Sequence, residues 1–177
     1  FVMSNIGTGC LILGFLLLFQ AAGNSYAFDQ FHGLGARMAP RLRNAAFLLF
    51  FVGFGVKAGI VPFHIWLPAA HPVAPSNVSA LMSGVLIKTG IYGMTRVFFD
   101  FLGEPPMWWG VTVLVVGTIS AVLGVLYALM EHDLKRLLAY HSIENIGIIL
   151  LGLGAGMMAL SAGRPELAAL GIAASLF

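Results

Sequence analysis

From Trp108-Trp109 to about Met130 the chain carries no charged residue, and similar apolar stretches cover about 3–22, 44–66, 77–100 and 137–160. About 20 consecutive apolar residues suffice for a helix to cross the hydrocarbon core of a bilayer. The runs are continuous rather than alternating, so the closed barrel, the other structure a bilayer permits, does not fit. Hydrophobic residues make up 59% of the chain and charged residues 9%, against a usual ~45–50% and ~25% in soluble domains. A soluble domain of this size could not keep that much apolar surface from water. The expected fold is all-α, a polytopic transmembrane helix bundle.

Several function classes are excluded at this stage. The net charge of +2 comes with no basic tract, so nothing supports nucleic-acid binding. The single cysteine, Cys10, lies in an apolar run and reads as a packing residue. Without a CxxC or four-cysteine pattern the chain holds no iron–sulfur cluster of its own. No cofactor, metal site or bond-making active site is expected. The chain opens on Phe1 inside an apolar run and closes on another, Leu170 to Phe177. We read residues 1–177 as a single internal segment of a longer transporter-like chain, with about five to six transmembrane helices.

Breaks between the runs are marked by polar and helix-breaking residues. Residues 23–43 are mixed and hold Asp29, His32, Arg37, Arg41 and Arg43, a loop with room for a short interfacial helix. The second run is interrupted near Gly59 and Pro62, because proline removes a helix donor and clashes with the preceding turn. Pro68, Pro72 and Pro75 predict a turn-rich connection over 68–76, with Ser76-Asn77 capping the third run. Gly103-Glu104-Pro105-Pro106 ends that run, and Trp108-Trp109 reads as a paired indole anchor at an interface. Glu131 to Arg136 is a tight charged connection, expected to form a solvated face with helix caps. Arg96 and Asp100, four apart, read as an interfacial ion pair. The arginine count of the loops leans weakly toward a cytoplasmic side for loop 23–43.

Two lysines interrupt these apolar runs. Lys57 follows Phe47 to Val56, about two-thirds of the way along its segment and beside the break, and Lys88 follows Ala80 to Ile87 near the middle of its own. A lysine at the centre of a spanning helix costs ~2.5–3.5 kcal/mol on insertion scales, so both are expected to be buried and to do work with the ammonium group. Broken helices at membrane depth survive only when packed in protein or lining a watery cavity, which places polar partners near Lys57. His64 and His71 flank the break and can exchange protons near neutral pH. Their spacing of seven is not a zinc-ligand pattern. His141 and Glu144 stand at i, i+3 on one helical face, beside Ser142 and Asn145. They read as a proton relay or a structural hydrogen-bonded pair; one such pair in the reversed order is no di-iron motif.

Three stretches carry a family resemblance. Lys57-Ala58-Gly59 through Pro68-Ala69-Ala70-His71, then Ala74-Pro75-Ser76 through Lys88-Thr89-Gly90-Ile91-Tyr92-Gly93, and Asp133-Leu134-Lys135-Arg136 through Tyr140 resemble the signatures of the proton-translocating, antiporter-like membrane subunits. These occur in respiratory complex I, multisubunit Na+/H+ antiporters and membrane-bound hydrogenases. The 31-residue separation of Lys57 and Lys88 agrees with that family's two central lysines. Tyr140-His141-Ser142-Ile143-Glu144-Asn145 looks like the large antiporter-like subunit of hydrogenase-4 and formate hydrogenlyase complexes.

The resemblance implies a fragment of a larger antiporter-like subunit that conducts H+, with Lys57 and Lys88 matching its two lysines; His64, His71, His141 and Glu144, read from their positions, complete the expected proton path. It implies coupling to redox chemistry in a peripheral arm, other membrane subunits as partners, and residence in a bacterial or archaeal cytoplasmic membrane. It also places the 131–136 connection on the cytoplasmic side, against the arginine count, and we follow the resemblance. The alternatives are a component of a multisubunit Na+/H+ antiporter and a structural membrane scaffold.

Overall fold

The computed structural model describes residues 2–24 and 27–176. Helix α1 (Val2–Ala21) packs antiparallel-fashion along α2 (Pro40–Ala58), which ends at the predicted break. After a 3-10 turn at Phe63–Ile65 the chain resumes as α3 (Trp66–Val73). Helix α4 (Ser76–Leu81), a π segment (Met82–Leu86), α5 (Ile87–Thr95) and a second π segment (Arg96–Phe101) follow as one unbroken helical run. Helices α6 (Met107–Met130), α7 (Leu134–Ser161) and α8 (Pro165–Leu176) complete the chain. No strand occurs among the described residues. Four helical stretches, Val2–Ala21, Pro40–Val73, Met107–Met130 and Leu134–Ser161, are long and apolar enough to cross a membrane. At 1.5 Å per residue the 24 residues of α6 extend about 36 Å, more than the ~30 Å hydrocarbon thickness.

The break between α2 and α3 is built from identifiable parts. Gly59 adopts the left-handed conformation at φ +75°, which costs glycine nothing sterically. The amides of Gly59 and Ile60 both close on the Gly55 carbonyl, at 2.8 and 3.1 Å, terminating α2. The Val61 amide is then taken by the hydroxyl of Ser120 on α6 at 3.1 Å, and the Val56 carbonyl by the Trp66 indole N–H at 2.9 Å. Hydroxyl side chains and neighbouring helices re-satisfy freed backbone groups in this way wherever a membrane helix is broken. Ser120 is fully buried, so nothing replaces it. Ser120→Ala is expected to cost about 1–3 kcal/mol, the penalty of a buried donor left unpaired, read as a lower thermal midpoint of the purified full-length protein in detergent.

The expected turn-rich connection over 68–76 is instead mostly helix. Pro68 falls in the first turn of α3, where its missing donor is not needed, and only Pro72 removes an internal bond. Nor do Ser76 or Asn77 cap the third run: α4 starts after Pro75 with no side-chain cap. The indole pair divides as well. Trp108 is partly exposed, but Trp109 is fully buried, stacked on Phe47 with ring centroids 4.3 Å apart, under the Arg43 guanidinium at 5.3 Å, and donates to Asn44 Oδ1 at 3.2 Å. The second indole is a core residue because α2 presents a ring, a cation and an amide to it.

The expected ion pair forms, Arg96 Nη1 to Asp100 Oδ2 at 2.9 Å, and it is part of a larger tie. His32 pairs with Asp100, and the Gly33 amide donates to the Asp100 carbonyl at 2.9 Å. The segment before α2 is thereby folded under the bundle as two 3-10 turns, burying Phe31, Leu34 and Met38.

Candidate functional site

Two clefts of this chain lie between the 76–101 run and α7, one of them also reached by α3. Helix α7 starts cleanly because Asp133 Oδ1 accepts the Lys135 amide at 3.0 Å, an N-cap of the preferred kind. From there one face of α7 presents Lys135, Leu138, His141, Ser142 and Asn145 to a cleft of about 470 Å³ that also receives His71, Ser79 and Ser83. A second cleft of about 310 Å³ holds Lys88 and shares Ser83, Gly84, Ser142 and Asn145 with the first. Two of the shared residues are hydrogen-bonded to each other, Ser83 Oγ to Ser142 Oγ at 2.7 Å. Because the Ser142 hydroxyl donates to the Leu138 carbonyl at 2.9 Å, its single proton is committed and Ser83 is the donor in this pair.

The six sequence-selected residues separate into groups. His71, Lys88 and His141 line these two adjoining clefts. His71 is 1% exposed; its Nδ1 meets Ser79 Oγ at 2.6 Å, while Nε2 is buried without a partner among the described residues. His141 Nδ1 meets Glu144 Oε2 at 2.7 Å, as the i, i+3 spacing required, with side chains 49% and 22% exposed. Lys57 stands apart, in the last turn of α2, where a cation is favoured by the helix dipole. It lines a third cleft of about 610 Å³ with Ser4, Trp66 and Leu86. His64 lines none of these; its ring lies 6.5 Å from that of Tyr127, which stacks on Tyr140 at 5.4 Å.

Two expectations need correction. Lys57 and Lys88 are not buried within this chain but exposed at cleft walls. Helices α2 and α5 meet through Gly90, which sits against the Ala58 amide and the Phe54 carbonyl, and this packing leaves both lysines on outward faces. Lys135 is the other. It does not belong to a solvated turn: its ammonium donates to the Ala74 carbonyl at 2.8 Å and lies 3.5 Å from that of Pro72. Ser79, Ser83 and Ser120 are polar residues of this architecture that sequence reasoning did not select, and Lys135 was read only as part of a solvated face. No group of three or more His, Cys, Asp or Glu that could hold a metal occurs among the described residues.

A broken helix re-satisfied by a neighbouring hydroxyl, with lysines and histidines lining clefts among long apolar helices, defines a polytopic helical integral membrane protein. The sequence matches, over residues 1–170, the family described as NADH:quinone oxidoreductase/Mrp antiporter, TM, and the chain belongs to that family. It is 49% identical to hydrogenase-4 component B of Escherichia coli, over 100% of this chain and 26% of that protein. It is 43% identical to formate hydrogenlyase subunit 3 of the same organism, over 100% of this chain and 28% of that protein. Among solved structures it superposes on the archaeal membrane-bound sulfane sulfur reductase with a TM-score of 0.71 and 25% identity, covering 99% of this chain and 36% of that one. On respiratory complex I from Thermus thermophilus the TM-score is 0.69 at 22% identity, over 99% and 39%. The chain spans about a quarter of the length of these curated relatives.

Proposed function

We propose that this chain supplies part of the proton pathway of an antiporter-like subunit in a redox-driven membrane complex of the hydrogenase-4 and formate hydrogenlyase kind. The complex would lie in a bacterial or archaeal cytoplasmic membrane, with other membrane subunits and a peripheral redox arm as partners. The observation that carries this reading is that the Lys88 cleft and the His71 and His141 cleft adjoin, with Ser83, Ser142 and Asn145 lining both. Imidazoles stand at one end, and an amine stands at the other. Hydroxyls that both donate and accept lie between them. Electron transfer belongs to other subunits; this chain moves charge by exchanging protons.

In this reading a redox event biases the charge beside Lys57, which releases or takes up a proton. Lys88 responds and trades protons with the His71 and His141 side through the serine pair. Glu144, held on Nδ1 of His141, orients the ring that stands at the cleft wall. Each step is a shift between protonation states, so modest changes in neighbouring charge drive it.

Ser142→Ala tests the route. The variant removes the acceptor for Ser83 and is expected to slow proton translocation by the intact complex in membrane vesicles several-fold while electron transfer and subunit content hold. Unchanged translocation at unchanged electron flux would show that protons do not cross between the clefts at this point.

A further inference from the structure

Lys135 is seated where a transporter commonly seats a metal cation. Its ammonium lies on the carbonyls of Pro72 and Ala74, at the C-terminal end of α3, the second half of the broken helix. Such half-helix ends, with carbonyls freed from the helix, coordinate Na+ in many transporters, because the helix dipole is negative there. The adjoining cleft adds the oxygens that an alkali ion prefers, the hydroxyls of Ser79, Ser83 and Ser142 and the amide of Asn145. Yet its lining includes no carboxylate, and its one ammonium group is that of Lys135 itself. The buried Nε2 of His71, with no partner among the described residues, stands in the same wall. The cleft is therefore equipped with ligands, and the cation already present is covalently attached.

We infer that Lys135 is a tethered cation whose ammonium fills the seat an alkali metal ion would take, so that the cleft admits H+ and refuses Na+. A proton needs no such seat, because it passes as a rearrangement of hydrogen bonds among imidazole, hydroxyl and water. A sodium ion must shed water, find several oxygens at once and approach a fixed positive charge. The consequence for ion choice rests on the proton-pathway reading above; the occupied seat does not, and it can be probed without turnover.

The test uses the full-length subunit in its purified complex, with Na+ itself as probe. Thermal midpoints are compared in sodium chloride and choline chloride at equal ionic strength, since an ion that binds only the folded state raises the midpoint with concentration. Wild type and Lys135→Arg are expected to show equal midpoints in the two salts. Lys135→Gln keeps a donor for the α3 carbonyls but no charge, and Lys135→Met keeps neither; each is expected to gain a saturable rise specific to Na+, with new 22Na+ uptake into vesicles. A Na+-specific rise already present in wild type overturns the inference, and so does its absence in the neutral variants. Should one neutral variant not assemble, the other and the wild-type comparison still decide. The readout also separates the two readings: a silent Lys135→Gln beside a pumping-deficient Lys88→Ala removes this inference and leaves the pathway standing.

Discussion

Lys88→Ala is expected to reduce proton translocation by the intact complex at least about tenfold, a barrier increase of more than about 1.4 kcal/mol, without preventing assembly. The separation of these effects follows from where Lys88 sits. Its side chain is exposed at a cleft wall, so truncation opens no void in packed core. Its neighbours carry the packing instead. Ile87 is buried, the Thr89 hydroxyl returns to the Leu86 carbonyl at 2.7 Å, and Gly90 makes the close approach to α2. What the alanine lacks is a group able to hold a proton between the Ser83–Ser142 pair and the remainder of the route. Translocation is read as acidification of inside-out vesicles during redox turnover, with subunit content measured beside it. Normal pumping by an assembled Lys88→Ala complex would favour the scaffold alternative, in which the lysines only hold helices together.

Gly147→Leu is expected to have the opposite signature: loss of the protein, not of the pathway. A Cβ at Gly147 would lie 2.4 Å from the Ala121 amide nitrogen and 2.7 Å from the Gly117 carbonyl. Both are backbone atoms of α6, so no rotamer relieves the clash and the helices must part. Close approach is repeated along this seam: a Cβ at Gly110 would lie 3.0 Å from the Gly154 carbonyl oxygen, and one at Gly124 would lie 2.7 Å from the Glu144 amide nitrogen. Membrane helices associate by such packing, because lipid supplies no hydrophobic drive between them. Overpacking costs about 1–3 kcal/mol where side chains can yield, and here the yielding atoms are backbone, so the cost lies at or above that range. The expected result is a strong fall in membrane abundance and in the thermal midpoint of whatever assembles. Gly9→Leu, at a position with nothing within 4 Å of its Cβ site, is expected to be milder. Equal abundance of Gly147→Leu and wild type would mean that the α6–α7 seam is looser than described.

The features that could be read from the sequence are those with no chemical substitute. Gly59 and Pro62 announce the break because one permits a positive φ and the other lacks a donor. His141 and Glu144 announce their contact because a helix fixes which residues share a face. What stayed hidden is what depends on a distant partner. Ser120 looks like any serine in an apolar run until the Val61 amide, 59 positions away in sequence, arrives beside it. Lys135 sits in a charged hexapeptide that reads as a solvated turn, and only the folded position of α3 supplies its carbonyls. Trp109 reads as an interfacial anchor because paired indoles often are; Asn44, Phe47 and Arg43 make it core. The exposure of Lys57 and Lys88 escaped for a related reason: cost of insertion argues that a lysine has a role but does not say which helix covers it.

The central claim is that Lys57 and Lys88 act by releasing and rebinding protons, and conversion of both to arginine tests it most directly. Arginine keeps the positive charge and the donors but does not deprotonate in proteins. In vesicles carrying the assembled double variant Lys57→Arg/Lys88→Arg, the expected result is electron transfer with proton translocation abolished. Translocation at the wild-type ratio of protons to electrons would contradict it, because fixed charges would then be doing what exchangeable ones are proposed to do.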